Sequence, residues 1–594
     1  MSVLVWIGIL VGLDISSIAG QDVNPCTVSF VDGSSGWGVA NQTFNGVPYC
    51  EYLGIRYAEP PIGKLRFKSP VLLAPSGFEE YTRIGNMCAQ LNTLELASKV
   101  LGDEDCLFLN VYSPAISKVP GTNRKYPVLV YIHGGSYAIW SSQTDMFGVD
   151  SLIENEVLIV SFNYRLFVLG FLRHPEFNIS GNFGLKDQLA ALQWVQRYIE
   201  PFGGDPNNVT LLGQSVGAHS VTYHLYLDSF GGLFHRAIAM SGSLLAPSAM
   251  IYNPKHFTPA YLKAINISTK EQLMSAPFQD LFLLFSIPRR FVFTSIGLPI
   301  FLPTIEDEKD PEALITKPVH EMILAAPANQ VPLMIGMTAM EFIPCFSTAQ
   351  HFYADENFPN RDNGKSLMLV SDMLHTASVL FKKVQPNGAG RHFYGKISDL
   401  ANMYYPVKKL LEQLHEQDLY RAPIYYYRFE FDGKFGKYKN QYYKEDLDAS
   451  YVGAMHGDDL GYLFSPYNVE QALTNRSEFE TEWKVAEKNV EQISNFVKYG
   501  NPTPRKTDKI SVLWEPFNGN NSAAQYLNIN DSNEMRKDDE SSNLIFRLWS
   551  KVHNCLFYYK CYLVQDILQR MKQLLELDRL DVSLENLFDD ENIT

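Results

Sequence analysis

A serine between two glycines, directly after an apolar run, is the residue of this sequence best suited to do chemistry. Residues 208–220 read NVTLLGQSVGAHS, in which a short apolar run precedes Gly213-Gln214-Ser215-Val216-Gly217 and a helix-compatible stretch follows. Strand, sharp turn and helix are the context that a G-x-S-x-G nucleophile elbow requires. Side chains at positions 213 and 217 would collide with neighbouring backbone in such a strained turn. The pattern predicts that Ser215 is an exposed nucleophile at the end of a strand.

A serine hydroxyl becomes a good nucleophile only when a base removes its proton and an acid orients that base. Among the histidines after a strand predicted at residues 332–338, only His456 lies between glycines, in the loop GAMHGDD (453–459). The other histidines of this part of the chain lie in helix-like or aromatic segments and are His351, His375, His392, His415 and His553. Glu341 lies just beyond the strand at 332–338, at the edge of a sheet where catalytic loops gather. We therefore predict His456 as the base and Glu341 as the acid.

Acyl transfer also needs backbone N–H groups that stabilise the negative oxygen of the tetrahedral intermediate. The predicted strand PVLVYIHGG (127–135) ends in Gly134 and Gly135, and a glycine lets a substrate carbonyl approach the main chain closely. The N–H of Val216, next to the nucleophile, is the third expected donor. This chemistry uses no metal ion and no cofactor, and we predict neither.

Buried apolar runs alternate with helical patterns along most of the chain. Helices are predicted at 185–201 and 478–500, and the turn FGGDPNN (202–208) leads into the strand of the nucleophile. Such alternation predicts an α/β fold with a large, mostly parallel central sheet and helices on both faces. Residues 245–330 and 345–420 are predicted to insert helices that cap the site. The strands are predicted at 107–112, 127–135, 157–164, 209–212, 235–243, 332–338 and 424–431.

The first residues read as a targeting segment. VLVWIGILVGL (3–13) is followed by small residues at positions suited to a signal-peptidase site, so we predict a cleaved secretory signal over residues 1–19. An N-terminal membrane anchor is the alternative, although the run is shorter than the roughly 20 residues that span a bilayer. We assign residues 20–550 to one folded domain, and 551–594 to an amphipathic helix with an acidic tail.

Secretion implies glycans and disulfides. The odd number of cysteines, 7 in all, leaves at least one thiol free or bonded to another chain. Cys26 and Cys50 flank a hairpin-like region and are a candidate pair, whereas the pairing of Cys345, Cys555 and Cys561 stays open. The formal net charge of −15 argues against nucleic acid and anionic membranes as partners. The candidate glycosylation sites are the sequons at Asn41, Asn178, Asn266, Asn475 and Asn520.

Taken together, these motifs resemble the type-B carboxylesterase/lipase family, which includes cholinesterases, juvenile-hormone esterases and non-catalytic neuroligin-type adhesion proteins. The resemblance extends from Val28 to Trp549. It implies an α/β-hydrolase fold, hydrolysis of small-molecule esters, and a triad of Ser215, Glu341 and His456. It also implies a disulfide between Cys88 and Cys106. The segments that carry it are YLGIRYAEPP, EDCLFLNVY, YIHGGSY, NYRLFVLGFL, GNFGLKDQLAALQWV, FGGDPNNVTLLGQSVG and HGDDL.

The sequence also departs from the family pattern. Val216 stands where the family usually has alanine, and Phe342 stands where a glycine often follows the acid.

Cholinesterases have a tryptophan inside the first disulfide loop and a glutamate before the nucleophile. Here the interval 88–106 contains no aromatic residue, and the residue before the nucleophile is the neutral Gln214. We therefore expect Gln214 to contribute to the substrate site and the enzyme to prefer neutral esters to choline esters. An aromatic ring from the capping segments, near Phe282 or Phe346, is the alternative partner for a cation.

Three functions are compatible with these residues. The first is a secreted serine carboxylic-ester hydrolase, which the complete set of triad positions favours. The second is a non-catalytic adhesion or receptor ectodomain on the same fold, because a fold does not fix a function. The third is an acyltransferase, which shares the acyl-enzyme but passes the acyl group to an acceptor other than water. The natural ester and a homo-oligomeric state stay open.

Overall fold

The central sheet and the candidate site lie within residues 39–538. The computed structural model describes residues 24–91, 100–114, 124–143, 148–251, 254–282, 301–341, 399–416, 419–436, 439–440, 453–466, 468–518, 524–538, 546 and 550. Several predictions fall outside these residues: the signal segment, the extension 551–594, the sequon at Asn520, and most of the cap predicted over 345–420. Phe342, Phe346, Cys345, Cys555 and Cys561 lie outside them too.

Short apolar and β-branched runs form the strands. They are β1 (Thr27–Ser29), β2 (Ser35–Trp37), β3 (Val39–Gln42), β4 (Pro48–Arg56), β5 (Phe78–Glu80), β6 (Gln90–Leu91), β7 (Val100–Leu101), β8 (Phe108–Ser113), β9 (Tyr126–Ile132), β10 (Leu158–Phe162), β11 (Gly204–Gln214), β12 (Arg236–Met240), β13 (Leu333–Thr338), β14 (Ile424–Phe429), β15 (Ala524–Ile529) and β16 (Glu534–Asp538).

Amphipathic and helix-forming stretches fill the connections between the strands. The α-helices are α1 (Asp150–Glu154), α2 (Phe167–Phe171), α3 (Phe183–Tyr198), α4 (Val216–Tyr226), α5 (Pro254–Ala264), α6 (Lys270–Ser275), α7 (Val319–Met322), α8 (Tyr405–Glu416), α9 (Val469–Thr474) and α10 (Glu480–Tyr499). Helices α3 and α10 agree with the periodicity at 185–201 and 478–500. Within the segment 245–330, the described residues include α5, α6 and α7.

One large sheet of 11 strands organises the fold, in the order β16-β15-β14-β13-β12-β11-β9-β10-β8-β4-β3. The strands from β10 to β15 in this order pair in parallel, and β8, β4, β3 and β16 are antiparallel to their neighbours. The prediction of a mostly parallel sheet with helices is confirmed. The turn expected over 202–208 is wrong in part, because residues 204–208 already belong to β11, with an irregular register between Gly204 and Val209.

The central strands of the sheet are buried on both faces, and their successive residues point into different cores. In β9, Val128, Val130 and Ile132 join one hydrophobic cluster, with residues of α3 and α4. Leu129 and Tyr131 join the other, with residues of α10. Burial on both faces explains why these strands read as continuous apolar runs rather than alternating ones.

Two disulfides hold the N-terminal part of the chain to this sheet. Cys26, just before β1, is bonded to Cys50 in β4. Cys88 is bonded to Cys106, which lies just before β8. In the described part of the chain, no helix is both long and apolar enough to cross a membrane.

Candidate active site

The nucleophile candidate lies in the turn between β11 and α4. Ser215 has φ 59° and ψ −126°, a conformation that is costly for any residue with a side chain. Its N–H donates to the carbonyl of Met240 in β12 at 2.9 Å, and its own carbonyl accepts from Ala218 N–H at 2.8 Å. The side chain is half-buried, whereas its neighbours Gln214 and Val216 are fully buried. The chain therefore presents one hydroxyl at the end of a strand and hides the residues beside it.

The two glycines of the elbow allow this turn because no side chain fits at either position. A Cβ added at Gly213 would overlap the carbonyl of Gly217, and one added at Gly217 would overlap the carbonyl of Ile132 in β9. The nucleophile strand, its helix and β9 are thus in close backbone contact.

The loop after β9 lies directly beside the nucleophile. A Cβ added at Gly134 would lie 2.8 Å from the carbonyl oxygen of Gln214 and 3.1 Å from Cβ of Ser215, so only glycine leaves room there. Gly135 has φ 95°, and a Cβ on it would overlap the carbonyl of Ile139. Within the described chain, the N–H groups of Gly134 and Gly135 donate to no backbone carbonyl. Val216 is the first residue of α4, and such residues have no intrahelical acceptor. Gly134 and Val216 thus lie beside Ser215, Gly135 is the next residue of the loop, and their function as oxyanion donors stays a prediction.

A buried histidine stabilises the loop after β9 through a hydrogen bond and ring stacking. Nδ1 of His133 donates to the carbonyl of Gly134 at 2.9 Å, and the ring stacks on Tyr164 with centroids 4.4 Å apart. The hydroxyl of Tyr164 donates back to the carbonyl of His133 at 2.9 Å. Burial lowers the pKa of His133 to about 4, so the ring is neutral at physiological pH. It acts as a packing and hydrogen-bonding group rather than a charge.

The predicted acid and base are in direct contact, although they are far apart in sequence. Nδ1 of His456 lies 2.5 Å from Oε2 of Glu341. The side chain of Glu341 is 2% exposed and that of His456 is 21% exposed. The carboxylate is therefore buried, whereas part of the imidazole is accessible to solvent. A neutral His456 therefore donates Nδ1–H to the carboxylate and carries its lone pair on Nε2.

Backbone contacts fix the two loops that carry this pair. Met340 N–H donates to the carbonyl of Ala454 at 3.0 Å, and Met340 forms a parallel bridge with Met455. The other oxygen of Glu341 accepts from the Ser241 hydroxyl at 2.7 Å and from the Thr338 N–H at 2.6 Å. The carboxylate is thus held at both oxygens, which fixes the direction of the imidazole.

Ser241, which donates to the predicted acid, is a contact that was not expected from the sequence. It directly follows β12, the neighbour of the nucleophile strand, and has φ 53°. A serine followed by glycine just beyond a buried parallel strand is the sequence signal that could have identified it, because such strand ends meet at one edge of the sheet.

Several acidic groups surround the imidazole. Burial lowers the pKa of His456, but Glu341, Asp459 and Asp399 raise it, and the net change is upward from the usual value. Burial raises the pKa of Asp459 to about 7, and the nearby Glu341 adds to that rise. A second buried ring, His219, interacts electrostatically with His456, and burial lowers its pKa to about 3. The surroundings therefore raise the pKa values of His456 and Asp459 and lower the pKa of His219.

Gln214 lies between the base and the glycine loop. Its Nε2 is 3.2 Å from Nε2 of His456, and a Cβ added at Gly134 would lie 2.8 Å from its Oε1. The sequence analysis assigned Gln214 to substrate binding, and the contact that the structure provides is to the imidazole.

The other predicted residues concern glycans and metal ions. Among the candidate glycosylation sites, the asparagines that the structure describes are exposed: Asn41, Asn178, Asn266 and Asn475. In the part of the chain that is described, no group of three or more histidine, cysteine or acidic residues is arranged to hold a metal ion.

Comparison with known proteins identifies relatives over most of the chain. The profile of the Carboxylesterase family matches residues 36–547. Juvenile hormone esterase of Heliothis virescens is 29% identical over 531 residues, which covers 85% of this chain and 91% of that protein. Esterase B1 of Culex pipiens is 30% identical and covers 81% of this chain and 89% of its own length. Juvenile hormone esterase of Tribolium castaneum is also 30% identical, over 80% of this chain and 83% of that protein.

Solved structures agree with the sequence relatives. The crystal structure of juvenile hormone esterase from Manduca sexta, with OTFP covalently attached, superposes with a TM-score of 0.74 at 26% identity, covering 89% of this chain and 99% of that chain. A PNB esterase shares the fold, with a TM-score of 0.65 at 24% identity, covering 88% of this chain and 99% of that chain. The family match spans most of the chain, and the fold and the relatives agree with it. The chain therefore belongs to the carboxylesterase family and is a carboxylic ester hydrolase with an α/β-hydrolase fold.

Proposed function

We propose that this protein is a secreted serine carboxylesterase in which Ser215, His456 and Glu341 hydrolyse neutral carboxylic esters through an acyl-enzyme. One observation carries the proposal. The Glu341–His456 pair, 2.5 Å apart, lies within hydrogen-bond distance of Gln214, which directly precedes the half-buried serine of the elbow. This contact supports a site whose acid, base and nucleophile come from three separate parts of the chain.

Acylation begins when Nε2 of His456 takes the proton of the Ser215 hydroxyl. The oxygen attacks the ester carbonyl carbon, and the carbonyl oxygen becomes an oxyanion that accepts from the N–H groups of Gly134, Gly135 and Val216. Glu341 stabilises the imidazolium through Nδ1–H. Collapse of the intermediate breaks the bond to the alkoxy group, which leaves as alcohol with the proton from Nε2.

Deacylation repeats these steps with water. Nε2 of His456 removes a proton from the water molecule, and the hydroxide oxygen attacks the acyl carbon of the acyl-serine. The second tetrahedral intermediate releases the carboxylic acid, and the proton returns to Oγ of Ser215. An acyltransferase would differ only in the nucleophile that enters here.

Neutral esters are the substrate class that the site favours. Cation recognition needs an aromatic face or a nearby negative charge, and the disulfide loop 88–106 contains no aromatic residue. The residue before the nucleophile is Gln214, which is neutral. Three relatives are named juvenile hormone esterases, so juvenile hormone belongs in the panel of esters to be tested.

Secretion is supported by the two disulfides, since such bonds persist in oxidising compartments. Cleavage of residues 1–19 and glycans at the exposed sequons are parts of the same proposal. A single domain over 20–550 is consistent with a family match at 36–547.

The test is hydrolysis by the secreted protein of neutral acyl esters, graded by acyl length and alcohol and including juvenile hormone. We expect turnover of at least one ester class and its loss in Ser215→Ala, with an unchanged unfolding temperature. Transfer of the acyl group to an alcohol in place of water would favour the acyltransferase. A Ser215→Ala variant that hydrolyses as fast as the wild type would refute the mechanism.

A further inference from the structure

The contact between Gln214 and His456 has a direction that follows from the chemistry of the two groups. Nδ1–H of His456 is directed at Glu341, because a carboxylate only accepts hydrogen bonds. Nε2 of the neutral ring is therefore an acceptor. The atom of Gln214 that faces it at 3.2 Å is the amide nitrogen, which only donates. Donor and acceptor match when the imidazole is neutral, and they would oppose each other if Nε2 carried a proton.

The carboxamide of Gln214 is buried between the imidazole of His456 and the glycine loop after β9. Gln214 is completely buried at the end of β11. Its Oε1 faces Gly134, where an added Cβ would approach it to 2.8 Å. Among the described residues, Oε1 has no hydrogen-bond partner, so the amide of Gln214 has its one polar contact at the imidazole. The polar contact of this buried side chain is therefore with the predicted base and not with other residues of the core.

We propose that Gln214 is a positioning residue that donates its amide N–H to Nε2 of His456 in the free enzyme, and so favours the neutral imidazole until the Ser215 hydroxyl replaces the amide at that nitrogen. This inference rests on the proposed triad and adds a function for the residue before the nucleophile. A glutamate at the same position would reverse the effect, because a carboxylate pairs with an imidazolium and favours the protonated base.

Several carboxyl groups near His456 favour its protonated form, and the amide of Gln214 opposes that effect. Glu341, Asp459 and Asp399 all raise the pKa of His456. Asp458 lies under the same turn and accepts from Met455 N–H at 2.9 Å. A neutral donor on Nε2 opposes protonation of the ring. Among the described residues, His219, which is neutral at working pH, also interacts with His456. Lys439 donates to the carbonyl of Gly453, in the loop that carries His456, at 3.3 Å.

The test is the pH dependence of kcat/KM for a neutral ester, whose acidic limb reports the base of the free enzyme. Activity needs a neutral His456, so kcat/KM falls as the pH decreases through the pKa of that group. We compare the wild type with Gln214→Met, which keeps the shape and removes the donor, and with Gln214→Glu. The neighbouring charged groups are the same in all three proteins, so differences between the limbs report position 214.

We expect the apparent pKa of the acidic limb to increase in the order Gln, Met, Glu. The Met variant shifts it by a few tenths of a unit, and the Glu variant shifts it by about one unit or more, as an opposite charge in contact does. Any other order would overturn the proposal. If the Glu variant does not fold, the order of Gln and Met decides alone.

Gln188→Met is the matched control. Gln188 is also completely buried, and its Oε1 lies 2.7 Å from Nε2 of a different histidine, His224. Its loss is expected to lower the unfolding temperature without moving the acidic limb. Labelling of Ser215 by a fluorophosphonate separates the two hypotheses. If labelling occurs but the limb is unmoved, only the function of Gln214 is wrong, whereas a wild type that does not label refutes the triad itself.

Discussion

The two halves of the candidate site are built in different ways. Ser215 lies between a regular strand and a regular helix, and glycines pack that turn against the backbone of β9. Glu341 and His456 lie on two loops, held by one backbone bridge and by hydrogen bonds to the carboxylate. The nucleophile half is fixed by backbone sterics, whereas the acid–base half is fixed by polar contacts between distant segments. Substitutions in the first half should therefore affect folding, and those in the second half should affect the rate and its pH dependence.

The largest expected effect is in the acid–base half. Glu341→Gln should lower kcat by about 10⁴-fold, because an amide does not stabilise the imidazolium and stabilises the wrong tautomer. Stability should change far less, since the amide keeps the shape of the carboxylate. The measurement is kcat together with thermal unfolding, with Glu312→Gln, which contacts Ser69 at the surface, as control. A loss in kcat of less than tenfold would contradict the proposed function of Glu341.

The nucleophile half should respond in the opposite way. Gly217→Ala forces a methyl group into the carbonyl of Ile132 and should destabilise the fold by about 3 kcal/mol, at the upper end of overpacking costs. Chemical denaturation measures this loss. In Gly231→Ala the nearest atom to the new methyl is 3.1 Å away and the backbone is of the ordinary kind, so this control should cost much less. Equal losses at the two positions would show that the elbow is not sterically fixed.

A smaller effect is expected from the part of the site that binds the alcohol group of the ester. Without a desolvated cation–π contact of about 2 kcal/mol, a choline ester loses a factor of roughly 30 in binding. We therefore expect kcat/KM for a short acyl ester of a neutral alcohol to exceed that for the same acyl group on thiocholine by about that factor. A choline ester that is preferred tenfold would show that another aromatic residue lines the pocket.

The smallest expected effect concerns Oε1 of Glu341, the oxygen that does not contact His456. Ser241→Ala removes one donor to the carboxylate and should lower kcat about tenfold, since a hydrogen bond to a charged group contributes about 1.5–3 kcal/mol and the Thr338 N–H remains. Ser243→Ala is the matched control, because Ser243 donates to the carbonyl of Pro406 and not to Glu341. The same decrease in kcat in both variants would mean that Ser241 acts through packing alone.

The same contrast explains how much of the molecule was predictable. The parallel strands were predictable because burial on both faces leaves continuous apolar runs, as in β9 and β10. The elbow was predictable because its steric demands leave a local signature of glycines around Ser215. The contact between Glu341 and His456 was expected only through loop positions and a family resemblance, because it joins residues 115 positions apart. Ser241 and the amide of Gln214 were missed as partners of this pair, because their contacts arise only when strand ends meet at one edge of the sheet.

The most direct test of the central claim is covalent labelling with a fluorophosphonate probe, followed by peptide mapping. We expect one adduct, on Ser215, formed more slowly as the pH falls through the pKa of His456. The adduct should be absent from Ser215→Ala, and its formation should be strongly slowed in Glu341→Gln. An adduct on another serine, or labelling that persists in Ser215→Ala, would contradict the claim that Ser215, His456 and Glu341 form the catalytic site.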